Sequence, residues 1–184
     1  MPLILTTDRL YLRPIAIADA EALFEARGDA EVMRYWDWPP QDSADAVRAV
    51  FAAHVPEPDR GTILWWAVAL SADGPAIGEC DLSEIDRHHA RAEVGFLFAR
   101  RHWGKGYARE AMEAVIAYGF GELGLERLWA RFHDGNDASR RLLERLGFTY
   151  EGTLKGHVVR DGARRDCHVY GCLRRSRSAT KNGA

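Results

Sequence analysis

Arg101-His102-Trp103-Gly104-Lys105-Gly106-Tyr107-Ala108 is the stretch on which the reading of the whole chain turns. An alternating segment runs into it. Within Arg91 to Phe98, Val94, Phe96 and Phe98 share one strand face while Glu93, Gly95 and Leu97 share the other. A helical segment leaves it from Lys105, with Ala108, Ala111, Met112, Val115 and Gly119 on one stripe and Arg109, Glu110 and Glu113 facing elsewhere. Gly104 and Gly106 admit torsions closed to other residues and let the main chain come close to a ligand. The first amides of the following helix lack intrahelical partners and carry the positive end of its dipole. Together these features make an anion site suited to a pyrophosphate. A P-loop would need Ser or Thr after its lysine, where Gly106 stands. A dinucleotide fingerprint would need Gly or Ala at the position of Arg109. A helix that merely begins at a glycine turn stays open as the bland alternative.

Working outward, Leu3 to Pro14 alternates like a strand, with Leu10 and Leu12 on one side and Arg9, Tyr11 and Arg13 on the other. Asp19 stands as N-cap before the helical run Ala20 to Arg27, and a second helix is expected from Ser43 to about His54, stopped by Pro56 and Pro58. Ile63 to Leu70 and Ala76 to Ile85 read as two strands around the turn Ser71 to Pro75. Beyond the helix after Lys105, Leu128, Ala130 and Phe132 make a strand. Asn136 caps a helix with Ala138, Leu142, Leu143 and Leu146 on its apolar face, and Gly147 ends it in a left-handed conformation. Two strands, near Phe148 to Leu154 and Asp166 to Leu173, flank a polar connection containing Asp161-Gly162. This order predicts an α/β (α+β) fold with one central, mixed, mostly antiparallel sheet flanked by helices.

The 184 residues, 47% hydrophobic and 28% charged, suit one globular domain, expected over residues 1–173, with residues 174–184 a flexible basic tail around Arg174, Arg175, Arg177 and Lys181. A net charge of -2 gives no whole-protein attraction for nucleic acid, and no apolar run is long enough to span a membrane. Cys80, Cys167 and Cys172, without CxxC spacing or a signal peptide, read as reduced thiols of a cytoplasmic protein. The seven histidines show no metal-ligand spacing, so no metal is expected.

Arg101-x-x-Gly104-x-Gly106 between a strand and a helix resembles the coenzyme A pyrophosphate loop of the GNAT acetyltransferases. The string Trp103 to Ala111, followed by Asn136-x-x-Ser139 and Leu146-Gly147-Phe148, is similar to the Rim-type branch, which acetylates N-terminal amines of ribosomal proteins. Thr7 to Pro14 is likewise similar to that branch's first strand, so the resemblance extends to about Leu173. It implies an acetyl-CoA-dependent N-acetyltransferase whose strand before the loop splays from its neighbour. The backbone of Phe96, Leu97 and Phe98 would pair with the pantetheine arm, as an added strand would. Arg101, His102, Trp103, Gly104, Lys105, Gly106, Tyr107 and Ala108 would hold the diphosphate, although Arg101 also reads as a solvated surface arginine. Asn136 and Ser139 match positions that approach the pantetheine and the sulfur, or are simply the cap and third residue of their helix. The family's tyrosine four residues before the Gly-Phe pair is Leu143 here, which leaves the acid's role to Ser139 or to water.

The implied chemistry is attack of a neutral amine on the thioester, with an amide near Leu97 or Phe98 for the oxyanion. Glu93, on the strand leading to the loop, is the first choice for general base, with Glu79, Asp81 and His157 as reserves. Tyr35, Trp36 and Trp38 are available as acceptor-pocket walls, and Trp65 and Trp66, adjacent in a strand, should face opposite ways. A protein or peptide N-terminal amine is the expected acceptor, and a groove lined by carboxylates would favour a small amine such as an antibiotic or polyamine instead. A non-catalytic coenzyme A-binding module is the reading from another class, and family analogy leaves a homodimer open.

Overall fold

A computed structural model describes residues 3–54 and 62–175. The elements are β1 (Leu5–Thr6), β2 (Tyr11–Pro14), α1 (Ala20–Arg27), α2 (Ala44–His54), β3 (Leu64–Ala69), β4 (Ala76–Asp86), β5 (Arg91–Phe98), α3 (Tyr107–Phe120), β6 (Arg127–His133), α4 (Asp137–Arg145), β7 (Thr149–Arg160) and β8 (Ala163–Leu173). Short 3-10 turns lie at Ile17–Asp19, Met33–Tyr35 and Arg100–His102. One eight-stranded sheet has the order β1-β2-β3-β4-β5-β6-β8-β7. Every neighbouring pair is antiparallel except β5 with β6, which α3 connects as a crossover. The mixed, mostly antiparallel sheet with helices on its faces is the architecture the sequence predicts.

Strand alternation divides the buried side chains between two layers. Leu12, Trp66, Cys80, Leu82, Val94, Phe98, Leu128 and Ala130 face α3 and α4, joining Met112, Val115, Ile116, Leu143 and Leu146 in the main core. Ala67 and Ala76, with Trp65 against them, meet Leu23, Val47 and Phe51 of α1 and α2 on the opposite face. Trp65 and Trp66 thus point to opposite sides, as adjacent strand residues must.

Several boundaries differ from expectation. The segment Leu3 to Pro14 is two short strands, because the Thr7 amide bonds Leu10 O at 3.0 Å and folds the chain into a turn. Asp19 occupies the N-cap position of α1 without capping it; its carboxylate instead takes the Arg13 guanidinium at 2.7 and 2.6 Å and the Ala16 amide at 2.8 Å. Ser43 does cap α2, accepting from the Ala46 amide at 3.1 Å, while Pro56, Pro58 and the tail beyond Arg175 lie outside the described residues. Ala138 is exposed, since the first turn of α4 stands clear of the core. The final hairpin is longer than expected. Asp161 and Gly162, with φ of 53 and 74°, form a two-residue turn that carries pairing to Arg160↔Ala163.

The feature that positions the site is a broken pairing. β5 and β6 pair from Arg91↔Arg127 only to Glu93↔Trp129, whereas β5 stays paired with β4 as far as Gly78↔Phe98 and β6 with β8 as far as His133↔Cys167. Beyond Glu93 the sheet therefore opens into a cleft with one lip on each strand. Ala99 donates to Ile77 O on the β4 side at 3.1 Å, and Ala90 O accepts from Glu126 and Arg127 at the start of β6. Alternation between these two anchors directs the main-chain groups of Val94 and Phe96 into the cleft and those of Gly95 and Leu97 toward β4.

Candidate active site

A cavity of about 620 Å³ occupies the cleft and passes from one face of the sheet to the other. On the α3/α4 side it is lined by Val94, Phe96, Ala130, Phe132 and, from α4, Asn136, Ser139 and Leu143. On the α1/α2 side its polar lining is Glu79, Asp81, Glu93, Arg27, Arg131 and Asp37, with Tyr35, Trp36, Trp38 and Trp65 as aromatic walls. The two strands bring these carboxylates together because Glu79↔Leu97, Asp81↔Gly95 and Ser83↔Glu93 are register partners on one face. Gly95 is required there: a Cβ on it would overlap Asp81 Oδ1.

The carboxylates differ in their partners. Glu79 is buried and held by Arg27, whose Nη2 and Nε lie 2.5 and 3.2 Å from its oxygens, and the same guanidinium lies over the rings of Phe51 and Trp65 at 5.1 and 5.2 Å. Burial nonetheless pushes the Glu79 carboxyl up against the pull of Arg27. Asp37 receives Arg131 at 2.7 Å and His133 at 2.8 Å. Burial works against its charge, but these hydrogen bonds prevail and hold it below the usual carboxylate range. Asp81 has no arginine or lysine in ion-pairing reach among the described residues; burial pushes it up to about 6, with a Ser83 hydrogen bond opposing. Glu93, with Arg131 Nε at 3.6 Å and outside hydrogen-bond range, is pushed up to about 7, first by burial and further by Glu84, Asp81 and Asp37. A carboxyl that gains and loses its proton near neutrality, facing a cavity, is suited to general-base work.

The expected site residues fall into two groups. Glu93, Phe96, Asn136 and Ser139 line the cavity, as do Glu79 and Asp81. Leu97 and Phe98 do not, being 3 and 4% exposed in the cores on opposite faces of the sheet. By alternation the amides on the open edge are those of Val94, Phe96 and Phe98, so Leu97 is displaced from the role of edge donor. The Phe98 carbonyl is already taken by the Trp103 indole at 2.8 Å. His157 is exposed on β7 and lines no part of the cavity. Asn136 accepts from the Ser139 amide at 3.1 Å, so it does cap α4 while also facing the cavity. Leu143, at 1% exposure, closes the wall where the family's tyrosine would stand.

Arg101 to Ala108 form a second locus at the end of β5. Gly104 and Gly106 have φ of 72 and 82°, torsions that favour glycine, and Gly106 is the N-cap of α3 with no side chain to occupy the first-turn amides. A Cβ at Gly104 would meet nothing within 4 Å. His102 Nδ1 is buried without a hydrogen-bond partner among the described residues. Arg101 pairs with Glu25 at 2.9 Å, which favours its reading as a surface residue. An open cradle of main-chain amides beside a strand edge with unpaired groups fits an extended ligand bearing a diphosphate at one end. Among the described residues no cluster of His, Cys, Asp and Glu could hold a metal, and no helix is long and apolar enough to cross a membrane.

Arg27, Asp37, Arg131 and His133 were not legible as site residues from sequence. Their partners lie 52 to 96 positions away, and no local spacing marks them.

The chain matches the acetyltransferase (GNAT) domain family over residues 9–149. It is 36% identical over 174 residues to YoaA, an uncharacterized N-acetyltransferase of Bacillus subtilis (strain 168), covering 93% of this chain and 97% of that one. The structure is similar to that of spermidine N-acetyltransferase from Vibrio cholerae in complex with CoA and spermine, with a TM-score of 0.80, 25% identity and coverage of 92% of this chain and 98% of the other. It shares its fold with RimL, a ribosomal L7/L12 alpha-N-protein acetyltransferase in complex with coenzyme A, at a TM-score of 0.82, 19% identity and coverage of 93 and 98%. Family, fold and cleft agree: the chain belongs to the GNAT family and is an acetyl-CoA-dependent N-acetyltransferase.

Proposed function

We propose that the enzyme acetylates a small, positively charged primary amine with an apolar body. The observation behind this reading is the pair Asp81 and Glu93 on the α1/α2 side of the cavity, neither held in a hydrogen-bonded ion pair among the described residues, beneath Tyr35, Trp36, Trp38 and Trp65. An ammonium group gains both charge complementarity and cation–π contact in such a pocket. Arg27 and Arg131 in the same wall are already held by Glu79 and Asp37, so the charge left for a ligand is that of Asp81 and Glu93, and the four aromatic walls favour an apolar body on the amine.

In this reading the amides of Gly104 to Ala108 hold the diphosphate, and the open edge at Val94 and Phe96 aligns the pantetheine with Asn136 beside it. Bound acetyl-CoA supplies the thioester whose acyl carbon the amine attacks. Glu93 takes a proton from the ammonium, directly or through one water, so that the nitrogen lone pair becomes available. The Phe96 amide donates to the developing oxyanion. As the C–S bond breaks, the proton shed by the newly acylated nitrogen passes to the thiolate through the Ser139 hydroxyl, which accepts one proton as it donates another, or the thiolate leaves unprotonated, as a thiol pKa near 8.5 allows.

A protein N-terminal amine is the second reading, favoured by the Rim-like string Trp103 to Ala111 with Asn136 and Ser139. Its lower pKa, near 8, would ask less of Glu93. A thiol-release assay with acetyl-CoA and three acceptors separates the readings: phenethylamine, spermidine and an alanine-initiated peptide. Highest kcat/KM for phenethylamine is expected. Preference for the peptide would establish the second reading, and preference for spermidine would overturn the apolar body assigned to the acceptor.

A further inference from the structure

The motif Thr7 to Arg9 takes no part in the cavity, yet it makes the densest set of polar contacts with the glycine loop. The turn between β1 and β2 brings both residues against the start of α3. Thr7 Oγ1 donates to Glu110 Oε1 at 2.6 Å, and the Arg9 amide donates to the same oxygen at 2.9 Å. Arg9 Nε and Nη2 each lie 2.6 Å from Glu110 Oε2, forming a fork on one carboxylate oxygen. The remaining nitrogen, Nη1, donates to Lys105 O at 3.0 Å, and the guanidinium lies over the Tyr107 ring with its carbon 4.9 Å from the centroid. A Cβ at Gly106 would stand 3.3 Å from Arg9 Nη2. One side chain therefore touches, or stands directly against, residues 105, 106, 107 and 110.

We propose that Arg9 is a positioning residue for the diphosphate cradle, locking the Lys105 carbonyl toward the β1–β2 turn so that the amides after it face outward. This rests on the reading of Gly104 to Ala108 as the diphosphate site. The geometry supplies two reasons. A peptide unit has its C=O and N–H on opposite sides, so fixing Lys105 O against Arg9 turns the Gly106 N–H away from Arg9. Glu110, in the first turn of α3, would otherwise present an unneutralised carboxylate to any anion bound there, and the Arg9 fork cancels that charge where it arises. Lysine could supply the charge but could not bond residues 105 and 110 while stacking on residue 107.

Calorimetric titration of the full chain with CoA and with pantetheine, which lacks the diphosphate, tests the assignment, alongside amide hydrogen exchange of the unliganded protein. Wild type is expected to bind CoA at least tenfold more tightly than pantetheine. Arg9→Gln should weaken CoA binding tenfold or more, leave pantetheine binding as in wild type, and speed exchange at residues 104 to 108 without changing it at residues 93 to 96. Arg9→Lys should behave like Arg9→Gln. Arg9→Met, which keeps the length of the stem without its nitrogens, serves if Arg9→Gln melts below the assay temperature, and it should weaken CoA but not pantetheine in the same way. Equal wild-type affinity for CoA and pantetheine would overturn the loop reading itself. Wild-type discrimination retained in Arg9→Gln, or restored in full by Arg9→Lys, would overturn the positioning role alone.

Discussion

Glu93 is pulled two ways. Burial disfavours its charge and pushes the carboxyl up to about 7, while the base role proposed for it needs that charge to accept a proton. Because the folded state holds this proton to higher pH than the unfolded chain does, the contribution of Glu93 to stability is lost as pH rises from about 4.5 to about 7. Glu93→Gln removes the titration. It should raise thermal stability at pH 8, by on the order of 3 kcal/mol, with the gain vanishing toward pH 4; equal melting curves at pH 8 would contradict the burial argument. The same substitution should lower kcat/KM by about 10²-fold at pH 6.5, within the range for a positioned base, and by less at pH 9, where more of the amine is already neutral. An unchanged pH–rate profile would remove Glu93 from the chemistry. Asp37→Asn offers a subtler check. Asp37 raises Glu93 by its charge and also engages Arg131, so its loss frees Arg131 for Glu93 and should move the acidic limb of the rate profile below 7. A limb that stayed in place would show that Arg131 does not tune the base.

At the scale of elements, the site depends on β5 keeping β4 while leaving β6. Gly95 makes the β4 side possible by admitting the Asp81 carboxylate against the strand, so Gly95→Ala should displace Asp81, cost about 1–3 kcal/mol in overpacking and raise KM for the amine more than for acetyl-CoA. Calorimetry and steady-state kinetics on the variant check this; an unaltered amine KM would detach Asp81 from the acceptor site. Much of this level was legible in the sequence. The alternation of Glu93 to Phe98 is observed, and β5 has the bounds Arg91–Phe98 that its pattern predicts, because both faces are buried and a one-residue slip would exchange them. The glycine loop and α3 were legible because positive torsions and a 3.6-residue stripe leave strong marks. Elsewhere local signals misled. The polar run from Lys155 to Arg165 hid the outer half of the last hairpin, whose β7 is an edge strand with little core to declare it. Asp19 looked like a cap because nothing local reveals that Arg13 claims it. The splay itself has no sequence signature: it came only with the family resemblance, and strand alternation, applied to the backbone as well as to side chains, turns the Leu97 amide toward β4 and those of Val94 and Phe96 toward the opening.

At the scale of the molecule, the opening between β5 and β6 joins the two sides of the sheet. The wall from α4 and the strand residues beside it is apolar apart from Asn136 and Ser139, and the wall facing α1 and α2 holds the four carboxylates and two arginines. Donor and acceptor would thus approach from opposite faces and meet at the parting of the strands, next to Glu93. Asp37 ties the aromatic segment around Trp36 to Arg131 and His133 of β6, and Arg160 of the last hairpin donates to the Trp36 carbonyl at 3.2 Å, so residues far apart in sequence fix the acceptor wall together. Such long-range assembly explains why the glycine loop's torsions and some of the cavity's walls, Tyr35, Trp36, Trp38 and Glu93 among them, could be read from the chain while the partners Arg27, Asp37, Arg131 and His133 could not. A crystal structure of the protein with CoA is the most direct test. Pantetheine density is expected along the open edge at Val94 and Phe96, the diphosphate on the amides of Gly104 to Ala108, and the sulfur between Glu93 and Ser139; density for the nucleotide and thiol anywhere outside that opening would overturn the assignment of the cleft.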